Sequence, residues 1–438
     1  MLIQFSVRNF KTFKEKATLS LVASNYDKDT READNIIDNE QFNLRILKSA
    51  VMYGPNASGK SKFIEALLFM KGYVVSSSKE GQKGDLINVE PFMLSDTART
   101  GGSEFEVIFL FKNAIYRYGF EVDRKQVVSE WLYHRPKTKE IEIFYRNHQK
   151  ISGHARHFSK GLKLVKEDLI RDNALLLSVA AQFNEDYSVS TIEWFGRMGI
   201  ISGLREESYK GFSVGQAARP EYKEKILKMV QSADLGIHDM TIETIDPKNI
   251  PDNIPEEKRG LIARRFKESG ILFSSDIKTL HPIYDDSHKV VGAHPLSMDR
   301  DESAGTRKFF ALTGPILDSL ENGRIMVVDE LDMKLHPNLV SEIVGLFNSR
   351  ELNPKNAQFI FNTHNTNLLS DGLFRRDQVW FIEKDVYGAA RLYSLADFKS
   401  GDVRKGESFE DNYLRGKYGG TPYLGLFQES AGLYNASK

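Results

Sequence analysis

Apolar residues alternate with polar ones near the start of the chain, at Leu2, Phe5, Val7 and Phe10 and again at Ala17, Leu19 and Leu21. The alternation predicts two N-terminal strands, each with one buried face. Residues 25–43 are polar and charged, which predicts a loop. The short run Ala50-Val51-Met52-Tyr53 then stops at Gly54-Pro55, and from Lys60 to Met70 the apolar positions Phe63, Ile64, Leu67 and Leu68 fall at helical spacing. This stretch is predicted as strand, glycine loop, helix. A second polar loop covers about residues 76–90. Four β-rich runs follow at 105–111, 115–122, 127–133 and 141–145, predicting an antiparallel meander. Helical patterns occupy 162–183 and 221–230, and the proline-containing, charged stretch 246–270 should hold another short helix. None of these sustains the roughly three to four heptads of a coiled coil. Strand runs at 325–328, 359–361 and 379–382 alternate with helical patterns near 306–320 and 338–348, the signature of a parallel sheet covered by helices.

The fold class expected is therefore α/β, a mixed sheet with an antiparallel meander. Its head would be built from 1–150 and 291–438, around an inserted, mainly helical subdomain at 151–290. A chain of 438 residues suits that plan. Lys and Arg number 60 and Asp and Glu 60, so the net charge is zero and general attraction to nucleic acid or to an anionic membrane is not implied. No apolar run approaches the roughly 18 residues of a membrane helix. The chain has no cysteine, which excludes disulfides, thiolate nucleophiles and Cys-ligated metals. The first residues lack a basic segment leading into an apolar core, so a cytoplasmic location is expected.

The strongest chemical signal is Gly54-Pro55-Asn56-Ala57-Ser58-Gly59-Lys60-Ser61, which fits G-x-x-x-x-G-K-[ST] between a predicted strand and a predicted helix. Such a loop turns successive N–H groups toward a phosphate chain at a helix N-terminus; Lys60 can reach the outer phosphates and Ser61 can ligate Mg²⁺. ATP with Mg²⁺ is the expected ligand. The apolar run Ile325-Met326-Val327-Val328 ends in Asp329-Glu330, which suits a metal-holding carboxylate followed by one that orients or deprotonates the attacking water. An acidic pair there can also simply cap a helix. Ser303-Ala304-Gly305-Thr306-Arg307 opens a predicted helix, and alone it reads equally well as an N-cap. His364, in Phe361-Asn362-Thr363-His364-Asn365, leaves a short predicted strand where it can meet a γ-phosphate or serve as an ordinary loop residue.

In that order, these motifs resemble the ABC-type ATPase head shared by transporters, chromosome-maintenance (SMC-like) proteins and RecF. The resemblance implies a homodimer or higher homo-oligomer through the ATPase heads, with Ser303 and Gly305 of one copy closing on ATP held by Lys60 of another. It makes His364 the switch histidine, Asp329 the magnesium ligand and Glu330 the catalytic carboxylate. More narrowly, the chain is similar to bacterial AAA-family ATP-binding proteins of phage-defence and abortive-infection operons, relatives of the overcoming-lysogenization-defect ATPases. That likeness runs through Val7-Arg8-Asn9-Phe10, Leu176-Leu177-Ser178 with Asn184 and Trp194-Phe195, and Glu302 to Thr306. It continues through Asp329-Glu330-Leu331-Asp332 with Leu335-His336-Pro337, and through Tyr413-Leu414-Arg415-Gly416 with Tyr418-Gly419-Gly420 and Pro422. It implies a separate effector, a nuclease or toxin, gated by ATP.

The signature lacks the Leu-Ser-Gly-Gly-Gln form of transporters, and Leu331-Asp332 follows Glu330 at once, which argues against an importer or exporter subunit. Gln82 lies where a lobe-linking glutamine is expected, without local support. No coiled coil separates Ser61 from Ser303, against long-arm tethering. Basic residues cluster at Arg156, Lys160, Lys163 and Lys166, and at Lys258, Arg259, Arg264, Arg265 and Lys267, but acidic neighbours favour solvated helix faces over nucleic-acid contact. A RecF/SMC-like repair ATPase that clamps DNA in its ATP state is the alternative function; a self-sufficient nuclease is disfavoured for want of a second carboxylate cluster.

Overall fold

Two sheets carry the molecule, and both ends of the chain contribute to each core. The computed structural model describes residues 1–25, 29–233, 236–244, 250, 255–257, 259–260, 263–264, 274–398 and 407–422. Strands are numbered along the chain. The first sheet is antiparallel throughout, in the order β10 (Lys150–Gly153), β9 (Ile141–Asn147), β8 (Val127–Arg135), β7 (Ala114–Val122), β6 (Ser103–Phe111), β1 (Leu2–Arg8) and β2 (Ala17–Ser20). The predicted meander is present, and β1 closes on its first strand.

The second sheet runs β11 (Met198–Ser202), β15 (Ile325–Asp329), β16 (Gln358–Asn362), β5 (Ser49–Tyr53), β17 (Val379–Lys384) and β18 (Ala390–Ser394). All neighbours are parallel except the edge strand β18. Strand β5 comes from the N-terminal part yet sits between two C-terminal strands. Every residue of β5 and of β16 is buried, as expected of parallel strands covered on both faces. On one face the helix Lys60–Ser76 lies between the two sheets, where Phe63 meets Phe5 at 5.3 Å and Phe13 at 5.7 Å between ring centroids. On the other, Val51, Tyr53, Val328 and Phe361 pack with the helices Ala304–Asn322 and Pro337–Phe347.

The structure departs from the sequence reading in three places, and one further expectation lies largely outside the described residues. Within 25–43, Glu32–Asn35 is helical and β3 (Ile36–Asn39) pairs with β4 (Leu44–Leu47); Ile36 and Ile37 are buried, a pair too short to show a period. The helical pattern at 162–183 is two helices, Ser159–Lys166 and Leu176–Gln182. Between them Arg146 takes the carbonyls of Arg171, Asp172 and Ala174, which a continuous helix would need for itself. The stretch 151–290, expected to be mainly helical, also supplies β11 to the parallel sheet. It further supplies β12 (Asp239–Thr244) and β13 (Ser274–Tyr284), which with β14 (Val290–Ser297) make a three-stranded antiparallel sheet. Finally, the expected short helix at 246–270 falls largely outside the described residues, as do Lys258, Arg265 and Lys267 of the second basic cluster. Among the described residues, no helix is long and apolar enough to cross a membrane.

Candidate nucleotide site

The glycine loop leaves β5 at its buried end and turns into the helix Lys60–Ser76, as predicted. Gly59 has φ +117°, and a Cβ there would stand 2.8 Å from Thr12 Oγ1, so no larger residue fits the turn. Lys60 is buried and folds back on its own loop, donating to the carbonyls of Gly54 (2.8 Å) and Pro55 (3.1 Å). Burial lowers its pKa, against the opposing pull of Glu330 and Asp329.

Opposite the loop, β15 ends in Asp329 and the chain turns sharply, with Glu330 in the left-handed region at φ +56°. Three neighbours hold that turn. Asn362, at the end of the adjacent β16, donates from Nδ2 to Asp329 Oδ1 (2.6 Å) and accepts the Glu330 N–H on Oδ1 (2.5 Å). Gly203, after β11, donates its N–H to the Asp329 carbonyl at 2.6 Å; a Cβ on it would lie 2.0 Å from the Glu330 carbonyl. Lys308 reaches across from the helix Ala304–Asn322 to the carbonyls of Glu330 (3.2 Å), Leu331 (2.9 Å) and Met333 (2.6 Å). His364 follows β16, its backbone N–H donating to Asp332 Oδ2 at 3.2 Å, and burial with the nearby Lys60 charge lowers its pKa.

These parts meet in one cavity of about 310 Å³, lined by Asn56, Ala57, Ser58, Gly59, Lys60 and Ser61 together with Glu330, His364, Thr12 and Lys384. A cleft of about 1030 Å³ adjoins it, reaching from Gly54–Ser58 and His364 to residues 413–422. Asp329 lies behind Glu330, tied to it through Asn362. Ser303 and Gly305 line neither space. Ser303 caps its helix by accepting the Thr306 N–H at 3.1 Å, and Gly305 sits where a Cβ would be 2.9 Å from the Lys334 carbonyl. Gln82 is exposed and lines neither space, its carbonyl accepting from Asn173 at 2.7 Å.

The residues fit a magnesium nucleotide. Buried Thr12 Oγ1 and Ser58 Oγ face the loop without a hydrogen-bond partner, as do Asp332 Oδ1 and Asn365 Nδ2 beside His364. Ser61 and Asp329 offer the oxygen donors that a hard cation takes. Two side chains that hold the turn at Glu330 escaped the sequence reading. Lys308 stands four residues before Leu312 and eight before Ile316, on the apolar stripe of its helix, and a lysine on a buried stripe was the available signal. Asn362 lies within a run already singled out for its histidine, but only the β15–β16 register shows that it faces Asp329.

Among solved structures, the chain is similar to the SMC head domain from Thermotoga maritima, with 13% identity over 90% of this chain and 98% of that one and a TM-score of 0.40. It is similar to the SmcHead bound to the C-winged helix domain of ScpA (12% identity, 90% and 97% coverage, TM-score 0.41). The Smc head domain with an extended coiled coil bound to the C-terminal domain of ScpA, derived from Pyrococcus furiosus, gives 14% identity, 90% and 96% coverage and a TM-score of 0.38. No curated protein matches the chain. Residues 49–178 and 213–370 match the family described as "AAA domain, putative AbiEii toxin, Type IV TA system". Those stretches make up more than half of the chain and hold the glycine loop, Ser303, Asp329, Glu330 and His364, so the chain belongs to that AAA-domain family.

Proposed function

We propose that the protein binds and hydrolyses ATP with Mg²⁺, that two or more heads close on the nucleotide, and that this closure gates a separate effector, a nuclease or toxin, in defence against phage. One observation carries the reading. The glycine loop, Glu330 and His364 line one cavity, while Ser303 and Gly305 lie outside it on the same chain. A second copy can supply what the first lacks. Lys60 would leave the Gly54 and Pro55 carbonyls for the outer phosphates, and Ser61 and Asp329 would hold Mg²⁺, which neutralises charge on the phosphate oxygens when bound. Glu330 would orient the attacking water and accept its proton, with His364 facing the γ-phosphate. In this reading 1–150 and 291–438 form the head, and 151–290 is an insertion that lends β11 to the head's sheet and carries the contact to the effector.

The trans arrangement is tested by mixing two inactive variants. Ser303→Arg blocks the face offered to a partner and leaves each chain's own loop intact; Lys60→Ala removes the loop's cation. Mixed heterodimers contain one site with an intact Lys60 facing an intact Ser303, so hydrolysis should recover in part on mixing. No recovery after full subunit exchange rules out a site shared between copies. DNA-stimulated hydrolysis with no change in effector association would favour the DNA-clamp reading instead.

A further inference from the structure

The larger cleft has a wall to which the nucleotide motifs assign no role, and it lies outside the residues that match the family. Residues 413–416 with Thr421 and Pro422 form this wall, across from Gly54–Ser58 and His364, and residues 417–420 complete the segment behind it. The segment is fastened at several points. The Tyr413 hydroxyl donates to the Gly420 carbonyl at 2.8 Å, the Gly420 N–H donates to Glu383 Oε2 at 2.8 Å, and the Tyr393 hydroxyl donates to the Tyr418 carbonyl at 2.8 Å. The buried Tyr413 ring lies 5.6 Å from that of Tyr53 and 5.4 Å from that of Phe381. Tyr53 immediately precedes the glycine loop, and Phe381 belongs to the neighbouring β17. The segment is thus bolted to the two strands at the root of the loop.

Its charge is unbalanced toward the cleft. Arg415 and Lys384 both line the space, and neither side chain has an ion pair or hydrogen bond among the described residues. The carboxylate that lines the cleft, Glu383, is already taken by Arg391, Tyr393 and the Gly420 N–H. An exposed arginine is ordinary on an open surface. Here it shares a cleft with a phosphate-binding loop, beside a second uncommitted cation, and is carried on a fixed support. The lining takes in Gly54 and Pro55, whose carbonyls hold the Lys60 ammonium, together with His364. It therefore opens on the end of the phosphate chain that Lys60 and His364 would meet, the outer end.

We propose that residues 413–422 are a strap that completes the nucleotide cleft within one chain, with Arg415 binding an oxygen of the outermost phosphate of a nucleoside triphosphate. This rests on the ATP-binding reading above. A guanidinium offers paired N–H donors to a phosphate, so the contact is charge-assisted and directional. A nucleoside diphosphate held by the loop would leave Arg415 in water. The strap would then make the cleft distinguish ATP from ADP before any second copy arrives.

The test is calorimetric titration of the full chain, kept dilute enough to be monomeric, with a non-hydrolysable ATP analogue and with ADP, each with Mg²⁺. Arg415→Ala should weaken the triphosphate about tenfold or more and ADP less than about twofold, the loss expected for one charge-assisted hydrogen bond. Arg415→Lys should recover part of the difference. Arg415 is exposed, so its truncation leaves the core intact, and an unchanged melting temperature verifies that. If the unmodified protein binds neither nucleotide, the ATP reading itself fails. If it binds both and Arg415→Ala does so with unchanged affinity, the strap proposal is overturned and the ATP reading stands. Equal weakening of both nucleotides overturns the assignment to the outer phosphate. Unchanged affinities with reduced hydrolysis also overturn it, and place Arg415 at a contact between copies.

Discussion

Two buried lysines stand on opposite walls of the site and solve the same problem differently. Lys60 and Lys308 are 5% and 0% exposed, and burial lowers the pKa of both. Each ammonium has three N–H donors. Lys308 gives all three to carbonyls of another element, the turn at 330–333, and so ties the helix Ala304–Asn322 to that turn. Lys60 gives two to carbonyls of its own loop and keeps one uncommitted. The first arrangement holds a shape. The second can be exchanged, because phosphate oxygens can replace loop carbonyls without disturbing any other element. The difference matches the chemistry on each side: Glu330 sits in left-handed backbone that costs a non-glycine residue about 1 kcal/mol or more, and Lys308 and Asn362 offset that cost.

If the carboxylate wall is a fixed frame for Glu330, the largest effect should come from altering that side chain alone. Glu330→Gln keeps the shape and cannot accept a proton. Hydrolysis should fall about 10² to 10⁴-fold while ATP binding persists. Single-turnover kinetics beside equilibrium binding would read both. Turnover near the unmodified rate would move the general base elsewhere, with Asp332 next in line.

The comparison itself is broken or kept by matched substitutions. Lys308→Met strands three buried carbonyls and should cost about 3 kcal/mol of folding stability in urea unfolding. Lys60→Met strands two carbonyls beside an open cavity and should cost less than about 1 kcal/mol, yet abolish tight ATP binding. Equal losses of stability would show that Lys60 is as structural as Lys308.

Legibility followed the same division. The loop wall is written in eight consecutive residues, Gly54 to Ser61, and the strands β5, β15, β16 and β17 each hold an unbroken apolar run of three or four residues, so both could be read from local pattern. The carboxylate wall depends on residues brought together only by strand order. Gly203, Asn362 and Lys308 reach Glu330 from three separate elements, and no local period reports such a meeting. β11 was missed for a related reason: Met198-Gly199-Ile200-Ile201-Ser202 is five residues with a glycine, and its pairing with β15 is what makes it a strand. The strap was legible as a motif and silent as to place, because its position depends on Glu383, Tyr393 and Tyr53 far behind it in sequence.

The smallest effect, and the finest test of the frame, is in the pH dependence of stability. Burial, opposed by Asp332 and Glu206, pushes Lys308 down to about 8 from an ordinary lysine value of 10.5. Below pH 8 the side chain is protonated in both the folded and the unfolded chain, and the full cost of burying the charge is present. Between about 8 and 10.5 the unfolded chain binds a proton that the folded one has released. Raising the pH through that window withdraws the unfolded chain's advantage, so stability should rise, by at most about 1.4 kcal/mol per pH unit for one proton. Lys48, Lys60 and Lys71 are lowered as well and contribute to both proteins alike, so the informative quantity is the difference between the unmodified chain and Lys308→Met. Urea midpoints from pH 7.5 to 10 should climb more steeply in the unmodified chain. Parallel curves would mean that the three carbonyls keep Lys308 protonated throughout, and that the tie between helix and turn is a permanently charged one.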